Sequence, residues 1–197
     1  VRSGRRIRVV DVKIHADIPQ KGPTDIARGS VIMLRKGQNA PGKIWSPDEW
    51  EYIAPSEDIP LPGDEGTETD NSIWQTQETD GSSCKRIIGG IDGNEPRRAW
   101  IRETHNLVGN QTPTPLVRVA QVADVANPFA NSGTRGLNYI NADISLYLHR
   151  DPIGSWIGTE GFYHHADEGI SVGTIALYDK KGRIGTSTVC GLAQIHP

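Results

Sequence analysis

Residues 115–127, Pro-Leu-Val-Arg-Val-Ala-Gln-Val-Ala-Asp-Val-Ala-Asn, constrain this chain more than any other stretch. Thr114 suits an N-cap, and Pro115 suits the first helical position, where a backbone N–H is not needed. Pro128 closes the segment, because the residue ahead of a proline is steered out of helical geometry. The reading is one helix over 115–127 whose only polar members are Arg118, Gln121, Asp124 and Asn127. The rest is Val, Ala and Leu nearly all round, and such a helix is a buried one. Its surroundings must cover it on most sides.

The residues after it can form that cover. Tyr139 to Arg150 alternates, with Ile140, Ala142, Ile144, Leu146 and Leu148 on one face and Tyr139, Asn141, Asp143, Ser145, Tyr147 and His149 on the other. Asp151 to Gly154 reads as a turn, Trp156 to His165 as a strand and Asp167 to Gly169 as another turn. Ile170 to Tyr178 and Arg183 to Ala193 read as strands joined by the tight turn Asp179-Lys180-Lys181-Gly182. Upstream, residues 73–91 and 97–104 read as two more strands, with Gly89, Gly90, Asp92, Gly93 and Asn94 as the turn between them. That glycine run lacks the Lys-Ser/Thr ending and the following helix of a phosphate loop. Glycines 158, 161, 173, 185 and 191 fall inside strands, which fits a strongly curved sheet closely approached by another backbone. Strands, one apolar helix and a four-stranded antiparallel meander make an α+β fold: a single curved sheet wrapped round a buried helix, the hotdog arrangement.

The first part of the chain reads differently. Residues 7–14 and 26–35 read as a hairpin turning through Pro19, Gly22 and Pro23. A lone hairpin is marginal in water, so it must pack on something. Residues 37–72 carry Pro41, Pro47, Pro55, Pro60 and Pro62 and read as a linker. Trp45, Trp50 and Tyr52 are foreign to a disordered linker, so this one is expected to drape over a folded surface and anchor there. The charge divides along the same lines. Residues 1–36 hold nine basic and three acidic residues, 37–80 hold one and eleven, and 81–197 hold eleven and ten. The net charge of −3 therefore belongs to the connector. No broad basic face with interleaved aromatics exists, which excludes a nucleic-acid partner. No apolar run reaches the roughly 18 residues of a membrane-spanning helix, and no basic-then-apolar leader is expected at the start. Cys84 and Cys190 lie far apart without Cys-x-x-Cys or Cys/His ligand spacing, so neither a zinc site nor a disulfide framework is expected, and a reducing cytoplasm is the default. No Gly-x-Ser-x-Gly elbow is present, which argues against a serine hydrolase. His164 and His165 adjoin on a strand and point to opposite faces, so they are not a chelating pair. Cys190 as a nucleophile would need a neighbouring base, and a small apolar strand residue is the preferred reading.

Tyr139-Ile-Asn-Ala-Asp-Ile-Ser-Leu-Tyr-Leu-His-Arg150, Gly154-Ser-Trp-Ile157, Ala176-Leu-Tyr-Asp179 and Gly182-Arg-Ile-Gly-Thr-Ser187 together resemble the thioesterase-like superfamily, close to acyl-CoA thioesterase II. Val119-Ala-Gln-Val-Ala-Asp-Val125 resembles its helix. The resemblance implies two hotdogs in tandem. Residues 1–36 would be the last strands of an N-terminal hotdog whose earlier part would precede Val1, 37–72 the acidic interdomain linker, and 73–197 the C-terminal hotdog. It implies hydrolysis of an acyl-CoA thioester without a covalent intermediate, a helix carboxylate, a Thr/Ser hydroxyl and a Gln amide activating a water. Carried over, these positions fall on Asp124, Asn141 and Cys190. Asn141 keeps hydrogen-bonding ability through its amide, whereas the Cys190 thiol is a weak donor in the place of Gln, and Gln194 lies four residues on. Apolar surroundings on the helix would suit Asp124 to base catalysis. Asn141 lies on the polar face of its strand, while the apolar face is the natural one to meet the helix; a bulge or twist at the strand's start would reconcile the two. The alternative is an acyl-CoA or acyl-chain binding protein without chemistry. A hotdog dehydratase is disfavoured, because no Asp…His pair stands at hydratase-like spacing. Coenzyme A enters as part of the substrate, so no cofactor and no metal is expected, and analogy with hotdogs implies a homo-oligomer joined through the sheets.

Overall fold

The computed structural model describes residues 6–58, 95–103 and 106–194 with their side chains, and the backbone of 2–3, 75–76 and 83–88. The chain divides into two compact units, Val1–Pro47 and Asp48–Pro197. The expected turn at 89–94 and the linker beyond residue 58 lie outside the described residues.

The first unit is a three-stranded antiparallel sheet in chain order, β1 (Arg2–Ser3), β2 (Ile7–Ile18) and β3 (Gly22–Leu34). The hairpin is longer than expected, with Ile18 opposite Gly22 and Asp17 opposite Pro23. β3 is an edge strand, so Pro23 needs no N–H for the ladder and does not end it. No side chain between residues 6 and 47 is buried. Trp45 is 84% exposed, contrary to the burial expected of an anchor.

The second unit holds an eight-stranded sheet. Its strands are β4 (Gln75–Thr76), β5 (Ser83–Ile88), β6 (Arg98–Glu103), then, after the helices and the small ribbon β7 (Ser132–Gly133) and β8 (Gly136–Leu137), β9 (Tyr139–Asn141), β10 (Ser145–Leu148), β11 (Ile157–Asp167), β12 (Ile170–Asp179) and β13 (Gly182–Ala193). Their order is β10-β13-β12-β11-β6-β5-β4, and β9 also pairs with β13. β11, β12 and β13 form a meander. The strand after the helices does not extend it at β11, as a four-stranded meander would require; it crosses over and pairs with β13.

The helix begins as its residues dictate: the Thr114 hydroxyl accepts the Val117 N–H at 3.3 Å and Pro115 stands at the first position. It does not run unbroken to Asn127. α1 spans Pro115–Ala123 and α2 spans Ala126–Asn131. Pro128 lies inside α2, near enough to its start that its missing N–H costs nothing there. The same missing N–H would otherwise bond the carbonyl four residues back, and the ring crowds that carbonyl; four residues back is Asp124. Proline thus breaks the helix ahead of itself, and the junction tightens to a Val125 N–H bond to the Val122 carbonyl at 3.1 Å. Nor is α1 covered all round. Val119, Val122 and Ala123 are buried, whereas Leu116, Ala120 and Asp124, four residues apart, share the exposed side.

The sheet is covered on both faces. Ala99, Ile101, Ile157, Ile175, Leu177, Ile184 and Val189 pack with Val119, Val122, Ala126 and Phe129 of the helices. On the opposite face Trp100, Trp156, Ala176 and Tyr178 are buried under Trp50, Tyr52 and Ala54. This strap is the anchored part of the acidic segment. Trp50 stands 5.9 Å from the Trp100 ring and 5.8 Å from Tyr178, and the Tyr52 hydroxyl donates to the Asp179 carbonyl.

Candidate functional site

Asn141 and the helices meet because of one extra residue. β13 pairs Gly191 with Asn141 and Thr188 with Ser145, so four steps along the first strand match three along its partner. Such a bulge inverts the pleat between β9 and β10. Before it, Tyr139 and Asn141 are half-buried toward the helices while Ile140 is 48% exposed; after it, Leu146 and Leu148 pack against the core. The alternation that conflicted with a helix-facing Asn141 is resolved by this shift. Asp143 holds the bulge in place by accepting the Cys190 N–H at 2.8 Å, and the Ala142 N–H bonds the Cys190 carbonyl at 2.8 Å.

The three residues brought in by resemblance are not gathered equally. Asp124 lies exposed at the break between α1 and α2, and the preceding carbonyl, of Ala123, accepts the Ser187 hydroxyl at 3.0 Å. Apolar neighbours do not enclose its carboxylate. Asn141 shares the helix-facing side with Gly191, directly opposite. Cys190, one residue before Gly191, is turned by the strand pleat to the other face, with Thr186 and Thr188. Its peptide group touches the bulge; its thiol does not share a face with Asn141.

A polar group absent from the sequence reading lies beside them. The Asn127 amide donates to the Tyr139 carbonyl at 3.0 Å, the Asn131 amide donates to Asn127 Oδ1 at 2.8 Å, and Asn131 Oδ1 lies 2.9 Å from His164 Nδ1. Both asparagines are buried. Small residues on the sheet make room for them: a Cβ at Gly173 would come within 2.6 Å of Asn131 Oδ1, and one at Gly191 within 2.6 Å of the buried Ser171 hydroxyl. Asn127 and Asn131 stand four residues apart, a spacing visible in the sequence once the helix is allowed past Pro128. Next to them an open cleft of about 580 Å³ is lined by Arg97, Phe129, Tyr139, Phe162, Tyr163 and His164 among others.

Other motif residues prove structural. Arg150 grips Asp179 with both guanidinium nitrogens, and Asp179, fully buried, also accepts the Ile153 N–H at 2.8 Å and the Lys181 N–H at 2.7 Å. Burial pushes the Asp179 carboxyl up, but Arg150 and the two peptide N–H groups outweigh it and hold it below the usual carboxylate range. On the strap side Glu160 accepts Arg98 at 2.9 and 3.0 Å and the Tyr178 hydroxyl at 2.7 Å. Burial first, then this carboxylate, raises the Tyr178 phenol. Among the described residues no group of His, Cys, Asp and Glu could hold a metal ion, and no helix is long and apolar enough to cross a membrane.

Comparison with known proteins places these features. The model of the acyl-CoA thioesterase C-terminal domain family matches residues 56–189. Among solved structures, a conserved protein with a hot dog fold from Alicyclobacillus acidocaldarius matches with a TM-score of 0.64 at 12% identity, over 100% of this chain and 71% of that one. The tesB protein of Mycobacterium avium subs paratuberculosis matches at 0.58 and 14% identity, over 99% and 69% of the two chains. Acyl-CoA thioesterase II TesB2 of Mycobacterium marinum matches at 0.54 and 15% identity, over 99% and 71%. These likenesses show the hotdog fold. No curated protein matches the sequence.

Proposed function

Because the chain belongs to the acyl-CoA thioesterase C-terminal domain family, we propose that it hydrolyses a fatty or related acyl-CoA to the free acid and coenzyme A. In this reading Asp124 takes a proton from a water whose oxygen attacks the thioester carbonyl carbon. The Asn141 amide donates to the oxygen on which charge develops. Collapse breaks the C–S bond, and the departing thiolate recovers the proton from Asp124. Cys190 contributes through its peptide group, which holds the bulge, rather than through its thiol.

One observation carries the reading: the extra residue between β9 and β10, which turns Asn141 to the helix side of the sheet, the side that holds the Asp124 break. The helix break and the bulge each depart from the regular element at the two positions carried over from the family. The same reading takes residues 1–36 as strands of a further hotdog, 37–72 as the connector and 73–197 as the C-terminal hotdog. It also takes the cytoplasm as the setting and a second copy, joined through the sheets, as partner; sedimentation of the purified chain tests that association.

Thiol release measured over a panel of acyl-CoA chain lengths tests the chemistry. Asp124→Asn is expected to lower kcat/KM by about 10²–10⁴, the usual worth of a positioned base, with an unchanged circular dichroism spectrum because the side chain is exposed. Unchanged turnover would remove Asp124 from the mechanism. Binding of acyl-CoA with no thiol release by the unaltered chain would turn the reading to a binding protein.

A further inference from the structure

The buried amides beside α2 form a chain with a direction. The Tyr139 main-chain carbonyl can only accept a hydrogen bond, so the Asn127 NH2 faces it. Asn127 Oδ1 is thereby turned the other way and accepts from the Asn131 NH2. Asn131 Oδ1 is then the atom facing His164 Nδ1. A carbonyl oxygen cannot donate, so His164 Nδ1 must carry the hydrogen. A neutral imidazole has one N–H, which leaves the lone pair on Nε2. Turning Asn127 over would set donor against donor at Asn131 and acceptor against acceptor at the Tyr139 carbonyl, and turning Asn131 over would set acceptor against acceptor at Asn127, in a buried place where the two are 6% and 4% exposed. The backbone of Tyr139 thus fixes the tautomer of a histidine three strands away.

Nε2 is engaged by none of the described residues, and His164 lines the open cleft with the Tyr139 ring edge-on to its own, 6.1 Å away. A lone pair there repels phosphate and carboxylate and takes an N–H or O–H. On the same wall Arg97 carries an Nε that is buried with no hydrogen-bond partner among the described residues. An unmet acceptor and an unmet donor beside the Tyr139 ring suit an amide, which offers an N–H to the one and a carbonyl to the other, set between methylenes. We infer that this cleft is a subsite for the amide-bearing arm of a thioester substrate, with His164 Nε2 as the fixed acceptor for one of its N–H groups. The inference rests on the acyl-CoA reading, in which that arm is the pantetheine chain with its two amides. Asn127 and Asn131 act through His164 and are positioning residues.

Two measurements on the full chain test this. Two-bond proton–nitrogen correlation spectra of ¹⁵N-labelled protein, taken where His164 is neutral, are expected to show the Nδ1–H form; free neutral imidazoles favour the other, and a dominant Nε2–H form overturns the inference. Pantetheine, lacking the nucleotide, is titrated calorimetrically against the unaltered chain and His164→Phe, expected to bind the variant about five- to tenfold more weakly, the worth of one hydrogen bond. Adenosine 3′,5′-bisphosphate serves as control and is expected to be unaffected. Equal pantetheine affinity for both chains overturns the inference. Should the variant not fold, movement of the His164 Nε2 resonance on adding pantetheine to the unaltered chain decides instead, and a still resonance overturns it. Pantetheine held at His164 without thiol release from any acyl-CoA refutes the hydrolase reading alone. Thiol release with pantetheine indifferent to His164 refutes this inference alone.

Discussion

Asp179→Asn keeps the shape of the most enclosed carboxylate and removes its charge. In the native chain Oδ1 accepts from Lys181 N–H and Arg150, and Oδ2 from Ile153 N–H and Arg150, so each oxygen faces two donors. An asparagine NH2 in either place meets donors only. Two charge-assisted bonds are lost, at about 1.5–3 kcal/mol each, and the partly buried Arg150 loses its counter-charge. Both routes lead to a cost of about 3–5 kcal/mol, the usual result of breaking a buried pair. For a chain of this size that lowers the melting temperature by roughly 10 °C. The assay is urea and thermal unfolding followed at several pH values. Because the folded carboxyl titrates below its unfolded value of about 3.9, its stabilisation is complete above that value and fades as the pH falls through the depressed folded one. The gap between native and variant is therefore expected to be flat from pH 7 to about pH 5 and to close below about pH 4. A variant that melts with the native chain at pH 7, or a gap as wide at pH 3 as at pH 7, would refute the claim that this carboxylate ties the end of β12 to the Asp151–Gly154 turn.

Gly173→Ala puts a methyl 2.6 Å from Asn131 Oδ1 and 2.7 Å from the Ala130 Cβ; urea unfolding is expected to show a loss of about 1–3 kcal/mol from overpacking. Asp143→Ala removes the acceptor of the Cys190 N–H at an exposed position. Its stability cost is expected to be about 0.5–1.5 kcal/mol, while thiol release falls more than tenfold as Asn141 loses its orientation, a split that paired unfolding and kinetic measurements read. Trp50→Ala strips the strap of ring contacts with Tyr52, Trp100 and Tyr178. At about 0.5–1.5 kcal/mol per aromatic pair it is expected to cost about 2–3 kcal/mol and to speed proteolytic cleavage within residues 48–58.

What the sequence disclosed was local. The N-cap at Thr114 and the tight turn after Asp179 rest on neighbours a few residues apart, and both were legible. Pro128 was legible as a breaker but not where it acts: it steers the residue before it and deprives the carbonyl four residues back, and the second effect prevailed, at Asp124. The bulge beyond Asn141 was hidden because an extra residue is defined only against its partner, and the Tyr139–Arg150 alternation holds no record of how β13 is spaced. Strand order was hidden likewise: β10 reaches β13 by a crossover that hydrophobic pattern does not encode. Arg150 and Asp179 were visible as motif residues, though their bond across 29 positions was not. Of the proposed site, Asp124 and Asn141 are legible through the family resemblance, and the amide chain is not, because Asn131 falls past the expected end of the helix.

The strap that covers the outer face has a kinetic side. β11, β12 and β13 are joined by short turns, so their pairing closes small loops and forms early. Trp50 and Tyr52 reach their partners at Tyr178 and Asp179 across 128 and 127 residues. Loop-closure entropy and the slowness of long-range contacts put that docking last. Until it happens Trp100, Trp156 and Tyr178 lie bare on an already formed sheet, so the interval between the meander and the strap is when this chain is most exposed to association with its own kind.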